Sequence, residues 1–223
     1  MCGRFALFSD PTSIAHALRI APSDNNRWQP RYNIAPGTWI PAVRRREDAS
    51  PLVLDEIWWS YKPHWANEDA PEPINATAEK VATSNYFKGA FARHRCLVPA
   101  DGWYEWAQVD GQKQPYFLCR EDRDPLWLAA IWAERDDGTP GCAILTEPAR
   151  SVAKQIHPRM PLVLDDQSLE PWLDPDLTDR ETLRQVIHHL SGEHITHWPV
   201  STRVNTPTEN DPDLIEPVTS DSR

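Results

Sequence analysis

The chain has 223 residues, 40% of them hydrophobic, with 22 Pro, 8 Gly, 11 Trp and a formal net charge of −10. That length suits one domain, or at most two small ones, with enough apolar residues to bury a core. The acidity argues against a general polyanion binder. No apolar run approaches the roughly 18 residues of a membrane span, and the N-terminus lacks the charged and apolar regions of a secretory signal, so a cytoplasmic protein is expected.

The charge is uneven. Residues 165–181 carry seven acids against Arg180, and residues 206–223 carry five against Arg223. Outside these stretches the 33 acids and 23 bases reduce to 21 of each sign, which leaves room for a local basic groove. The last 18 residues read as an acidic tail, partly packed or loose. Cys2, Cys96, Cys119 and Cys142 form no CxxC pair. The last three are expected as small core hydrophobes.

In chain order, Asp10-Pro11 starts a short helix, with Asp as N-cap and Pro at the first helical position. Residues 31–37 (RYNIAPG) read as a loop, 39–44 and 52–59 as strands, and 63–73 as an irregular Pro-rich crossing. Alternation turns one of Trp58 and Trp59 inward. Arg44-Arg45-Arg46 reads as a solvated strand end. Residues 83–94 are expected as a helix, with Phe87 and Phe91 on one face. Strands follow at 96–99, 103–109 and 116–120, the last two joined by the hairpin signal Asp110-Gly111. Strands at 126–133 and 142–146 flank a second such signal, Asp137-Gly138. Residues 147–156 are expected as a helix that stops at His157, because Pro158 disfavours helical geometry in the residue before it. A strand at 162–164, a helix marked by Leu183, Val186, Ile187 and Leu190, and a strand at 195–200 complete the chain. Many hairpin-linked strands with a few short helices predict an α+β single domain on largely antiparallel, barrel-like sheet.

Chemistry concentrates at few places. If Met1 is removed, Cys2 carries an amine and a thiol on adjacent carbons. The amine condenses with an aldehyde to an imine, and the thiol closes on the imine carbon to give a five-membered thiazolidine. An ordinary α-amino group titrates at roughly 7.7–8.0 and a thiol near 8.5, so the amine is partly neutral near pH 7. In Gly102-Trp103-Tyr104-Glu105-Trp106, alternation puts Trp103 and Glu105 on one face and Tyr104 and Trp106 on the other. Glu105 is either a proton shuttle with a carboxyl raised by its indole neighbour or a surface residue on a half-exposed sheet. Asn75 either orients an amine or a substrate oxygen or is a turn residue. His157, held between a helix end and Pro158, either moves protons or caps the helix. His188, His189, His194 and His197 lack supporting ligand spacing and read as helix-face and strand residues, so no metal and no cofactor is expected. Trp58, Trp59, Tyr61, Trp65, Trp103 and Trp106 interleave with Lys62, His64, Arg93, His94 and Arg95, a supply that suits stacking of single-stranded bases beside phosphate-binding cations.

MCGRF at 1–5, RYNIAPG at 31–37, INA at 74–76 with Glu79, RCLVPADGWYEW at 95–106, HPRMPLVL at 157–164 and HWPVSTRVN at 197–205 together resemble the SOS-response-associated peptidase (SRAP) family. The resemblance spans residues 1–205. It implies a sensor of abasic sites in single-stranded DNA that loses its initiator Met by its own peptidase-like activity. The exposed Cys2 then links to the ring-opened sugar as a thiazolidine. By the same resemblance, Asn75 positions the amine or the sugar, Glu105 shuttles protons, and His157 assists ring opening. Arg4 contacts phosphate, and Pro36 and Trp65 pack against bases. The family commonly has Arg where this chain has Thr77, so Lys80 and Lys88 are the candidates to supply the missing cation. A monomer acting on abasic single-stranded DNA, without membrane, metal or cofactor, is the expectation. Two alternatives stand beside it: an N-terminal-nucleophile amidohydrolase like the class II glutamine amidotransferases, which also begin Met-Cys-Gly, and a non-covalent single-strand binder.

Overall fold

The computed structural model describes residues 2–20, 29–47 and 50–218; Met1 and the last five residues of the acidic tail lie outside them. From the N-terminus come β1 (Phe5–Leu7), α1 (Pro11–Ala17), β2 (Arg31–Ile34), β3 (Trp39–Arg45), β4 (Leu52–Trp58) and β5 (Asn75–Thr77). Then follow α2 (Lys88–Arg93), β6 (Arg95–Ala100), β7 (Gly102–Val109), β8 (Gln112–Arg120), β9 (Leu126–Glu134) and β10 (Pro140–Pro148). The chain continues with α3 (Ala153–Ile156), β11 (Arg159–Pro161), β12 (Val163–Leu164), α4 (Leu169–Leu173), α5 (Arg180–Val186) and β13 (Ile195–Pro199).

The strands form two sheets. One is antiparallel in the order β13-β8-β7-β1-β2. In the other, β10-β4-β3-β6-β9 closes on itself because β9 also pairs with β10. Closure removes the open sheet edges. The α+β, barrel-like architecture is therefore as the pattern predicted. β9 is buried from Leu126 to Ala133, since both of its faces lie against protein. The main core includes Phe5, Trp59 and Trp103 and fills the space between the barrel and one face of the five-stranded sheet. A smaller cluster of Tyr104, Phe117, Val200, Val204 and Leu214 covers the other face. The alternation read for residues 103–106 holds, with Trp103 in the main core and Tyr104 and Trp106 in the smaller one.

Local signals worked where the residue itself supplies the hydrogen bond or the dihedral. Asp10 Oδ1 accepts from the Thr12 and Ser13 amides and opens α1 at Pro11. Asp110 and Gly111, at φ 51° and 79°, make the β7–β8 hairpin in the left-handed geometry that two-residue turns need.

Five expectations are corrected. Residues 31–34 form a strand, not a loop, because Arg31 and Ile34 find register partners in Leu7 and Phe5. Asn33, a poor strand former, is buried there with its amide donating to the Val204, Thr206 and Glu209 carbonyls. Of residues 83–94 only Lys88–Arg93 is α-helical; Phe87 turns to Tyr61 while Phe91 packs on Trp172. Residues 147 and 148 extend β10, pairing with Met160 and Arg159, and the expected helix shrinks to Ala153–Ile156. α5 ends at Val186 because Leu190 donates its amide to the Val163 carbonyl and His189 bridges to Leu164, so His188 and His189 lie beyond the helix. Arg44 is buried rather than solvated, ion-paired to Asp55 at 2.9 Å and stacked over Trp132 at 4.4 Å.

The acidic stretch from 206 onward contributes a fully buried Leu214 and a carbonyl at Ile215 that accepts from Trp198 Nε1 at 2.7 Å. Gly102 has no room for a side chain. A Cβ there would run into the Phe117 ring and lie 2.6 Å from the Leu118 carbonyl oxygen. Gly102→Ala is expected to destabilise by about 1–3 kcal/mol. Differential scanning calorimetry reads this as a Tm lowered by roughly 2–12 °C; an unchanged Tm would show that the β7–β8 contact is looser than described.

Candidate active site

Four segments distant in sequence meet where the two sheets adjoin. β1 begins three residues after Cys2, and its pairing with β7 sets Phe5 opposite Trp103, so Cys2 enters the main core next to the Glu105 strand. β5 runs parallel to β10, with Asn75 opposite Ile144 and Thr77 opposite Thr146. β10 leads through α3 to His157.

The contacts are specific. Asn75 Nδ2 donates to the Cys2 carbonyl at 2.9 Å. Asn75 Oδ1 is buried with no hydrogen-bond partner among the described residues. An unpaired buried amide oxygen is costly and calls for a reason, a role in the chemistry among them. Glu105 is 3% exposed, and its Oε2 lies 3.9 Å from His157 Nδ1. That imidazole nitrogen also lies 3.0 Å from the Arg159 amide and 2.9 Å from the Arg159 carbonyl, so the segment after α3 fixes the ring.

Burial dominates the electrostatics. It pushes the Glu105 carboxyl up to about 7, which places the group among those able to give and take protons near neutrality. Burial, and then the negative charge of Glu105, raise the Cys2 thiol far above its ordinary value. The thiol is therefore held as S–H, and the thiolate that a cysteine hydrolase needs is disfavoured.

The structure thus brings together Cys2, Asn75, Glu105 and His157. Thr77 lies two residues beyond Asn75 on β5, half-buried. Pro36 is half-buried in the turn before Gly37, Trp65 is 58% exposed and edge-on to Tyr86, and Lys80 and Lys88 are exposed. Arg4 is tied within the protein: its Nη1 donates to Asn33 Oδ1 at 2.7 Å and to the Val204 carbonyl at 2.6 Å. Arg159 drew no role in the sequence. Its guanidinium engages both carboxylate oxygens of Glu79 and the Thr146 carbonyl, across β10 and β11. No pattern along the chain signals that contact, because the partners are 80 and 13 residues away. Among the described residues no group of three or more His, Cys, Asp or Glu is placed to hold a metal, and no helix is long and apolar enough to cross a membrane.

A cysteine at position 2, beside a buried carboxyl and bonded through its carbonyl to an asparagine amide on an α+β barrel, sets the class of this site. The family model for SOS response associated peptidase (SRAP) matches residues 1–207, and the chain belongs to that family. It is 34% identical to the abasic site processing protein YedK of Escherichia coli, over 98% of this chain and 100% of that one. It is 31% identical to the abasic site processing protein YoqW of Bacillus subtilis, over 97% and 99%. It is also 31% identical to the abasic site processing protein HMCES of Gallus gallus, over 86% of this chain and 67% of that one. A phage-related protein of Bordetella bronchiseptica, solved by crystallography, superposes with a TM-score of 0.73 at 32% identity, covering 90% of this chain and 95% of that one. A protein of Bacteroides thetaiotaomicron shares the fold with a TM-score of 0.81 at 18% identity.

Because Arg4 cross-links the start of the chain to Asn33 and Val204, Arg4→Ala is expected to lower stability by about 1.5–3 kcal/mol, the range for hydrogen bonds to a charged group. Urea unfolding measures it. An unchanged midpoint would leave Arg4 with no part in holding the fold.

Proposed function

We propose that this protein processes abasic sites in single-stranded DNA by trapping the sugar aldehyde covalently at Cys2 once Met1 is gone. The observation that carries the reading is the seating of Cys2: its carbonyl is bonded to Asn75 and its thiol is kept neutral beside a carboxyl that titrates near 7.

The chemistry follows from those groups. A neutral α-amine at Cys2 attacks C1 of the ring-opened deoxyribose, and one water leaves as the imine forms. Glu105, as the acid, protonates the departing oxygen. The Cys2 S–H then adds across the C=N bond, sulfur to carbon and proton to nitrogen, closing the thiazolidine. Overall, one aldehyde and one aminothiol give the ring and one water, with no oxidant or metal. Asn75 Oδ1 is the acceptor that orients the amine, and His157 assists opening of the sugar ring. Arg4, Pro36, Trp65, Thr77, Lys80 and Lys88 serve the DNA strand: Trp65 and Pro36 against bases, the lysines against phosphates in place of the arginine that Thr77 replaces. Removal of Met1 by the same site, and lyase-type reversal through the imine, are parts of the reading. The protonated thiol weighs against an amidohydrolase, in which a thiolate must attack first.

Incubation with a single-stranded oligonucleotide bearing one abasic site is expected to give an adduct that survives heat and denaturant, with a mass increase equal to the oligonucleotide less one water. Cys2→Ala is expected to abolish it, and Cys2→Ser to leave only an imine that borohydride traps. An equal yield of stable adduct from Cys2→Ala would sink the reading.

The pH dependence has a definite sign. Glu105 is an acid below about 7 and loses that form as the pH rises through it. The α-amine is neutral above roughly 7.7–8.0 and is lost to protonation as the pH falls. The linking rate should therefore rise as the amine loses its proton and fall where Glu105 loses its own, giving a bell-shaped profile. Glu105→Gln is expected to slow it roughly 10²–10⁴-fold and to remove the alkaline limb. Single-turnover rates from pH 5.5 to 9.5 measure this, and a profile identical to that of the parent would assign the limb to another group.

A further inference from the structure

Among the described residues only Trp39, Trp65 and Val186 are large hydrophobic side chains with substantial exposure, at 40%, 58% and 37%. In a chain that buries Trp59 and Trp103 completely, an open indole is an unclaimed stacking surface. Trp39 is also held rigidly. It opens β3 opposite Trp58, and the two rings meet edge-to-face at 5.6 Å and 72°. Arg31 ties down its backbone, with Nη1 donating to the Trp39 carbonyl at 2.6 Å and Nη2 to Thr38 Oγ1 at 3.1 Å.

Its position relative to Cys2 follows from the backbone. The segment 58–61 lies between 37–39 and 73–75: the Trp59 amide donates to the Thr38 carbonyl, the Gly37 amide to the Trp59 carbonyl, and the Tyr61 amide to the Pro73 carbonyl. Trp59 Nε1 reaches the Ile74 carbonyl, one residue before Asn75. Trp65, by contrast, belongs to the crossing loop beside Tyr86, whose hydroxyl donates to the Pro71 carbonyl. Trp39 therefore stands on one flank of segment 58–61, next to Pro36 and Gly37, residues 73–75 lead from the other flank to the Asn75–Cys2 contact, and Trp65 follows the end of the segment beside Tyr86.

We infer that Trp39 is a second base-stacking platform, which extends the single-strand track past the lesion site along the flank of segment 58–61 that carries Pro36 and Gly37. The occupant is an unpaired nucleobase of the bound strand. This deepens, and rests on, the proposed single-strand reading. Stacking on a rigid aromatic face tolerates any base, so the platform contributes affinity without sequence preference. Glu56 lies opposite Pro41 on the same strand pair, close enough to act on Arg31, so phosphate attraction at this point is weak and the indole supplies the main contribution.

Fluorescence anisotropy with a labelled 20-nucleotide deoxythymidine oligomer, free of abasic sites, tests this directly. Trp39→Leu, which keeps apolar bulk without a π-face, is expected to weaken binding about fivefold or more, and Trp39→Phe to retain most of it. The ratio of parent to Trp39→Leu affinity should be the same at 50 and 200 mM salt, because no charge is removed. Equal affinity of Trp39→Leu and parent overturns the inference while leaving the lesion chemistry intact. An affinity loss that grows or shrinks with salt also overturns it, as does a Trp39-dependent dimer in light scattering with DNA affinity unchanged. If even the parent fails to link abasic DNA, the proposed function falls, and the oligomer affinities still decide the role of Trp39.

Discussion

The structure depends on keeping one carboxyl group out of water beside the first cysteine. A buried, ionised glutamate would cost several kcal/mol. Glu105 meets that cost by titrating near 7 instead of near 4.5. It cannot withdraw, because β7 is locked between β8 and β1, and Gly102 at the start of the strand lets the Phe117 ring lie directly on the backbone. The β1–β7 register then seats Cys2 beside it, where burial first and the carboxylate's charge second hold the thiol protonated.

An overall charge of −10 and a single-stranded polyanion are compatible because the acids are segregated. The run at 165–181 spans α4 and the start of α5, next to β6. Acids of the last stretch are partly spent within the protein: Glu209 and Asp211 pair with Arg203. Several arginines are likewise committed. Arg44 is fixed to Asp55, Arg95 to the Trp172 and Asp174 carbonyls, and Arg159 to Glu79. On the proposed function, a strand passing the site would be met by aromatic surface at Trp65 and by the exposed Lys80 and Lys88. Such contact depends less steeply on salt than a phosphate clamp would.

What could be read from residue order was chemistry and pattern. The strand pairs around Asp110-Gly111 and Asp137-Gly138, the Asp10 cap, the two faces of residues 103–106 and the barrel-like α+β class all follow from short-range rules that act within a few residues. So did the four residues gathered at the site, by way of motif resemblance. The misreadings share one cause. Residues 31–34, 147–148 and 187–190 have weak local preference and took the conformation their distant partners offered: β1 for the first, β11 for the second, Val163 and Leu164 for the third. Arg44 looked like a surface residue until Trp132 and Asp55 enclosed it.

Residue identity alone determined that this protein carries an aminothiol at its second position, a carboxylate two residues from a tryptophan on a strand, and the strand-and-turn grammar of an α+β barrel. Only the tertiary fold decided that Cys2, Asn75, Glu105 and His157 meet, that the carboxyl titrates near neutrality, that half-buried Arg4 bonds to Asn33 and Val204, and that Trp39 faces solvent. The division has a physical reason. Turn dihedrals, caps and alternation act over a few bonds, whereas desolvation and proximity depend on which distant segments exclude water together, a quantity that no local window contains.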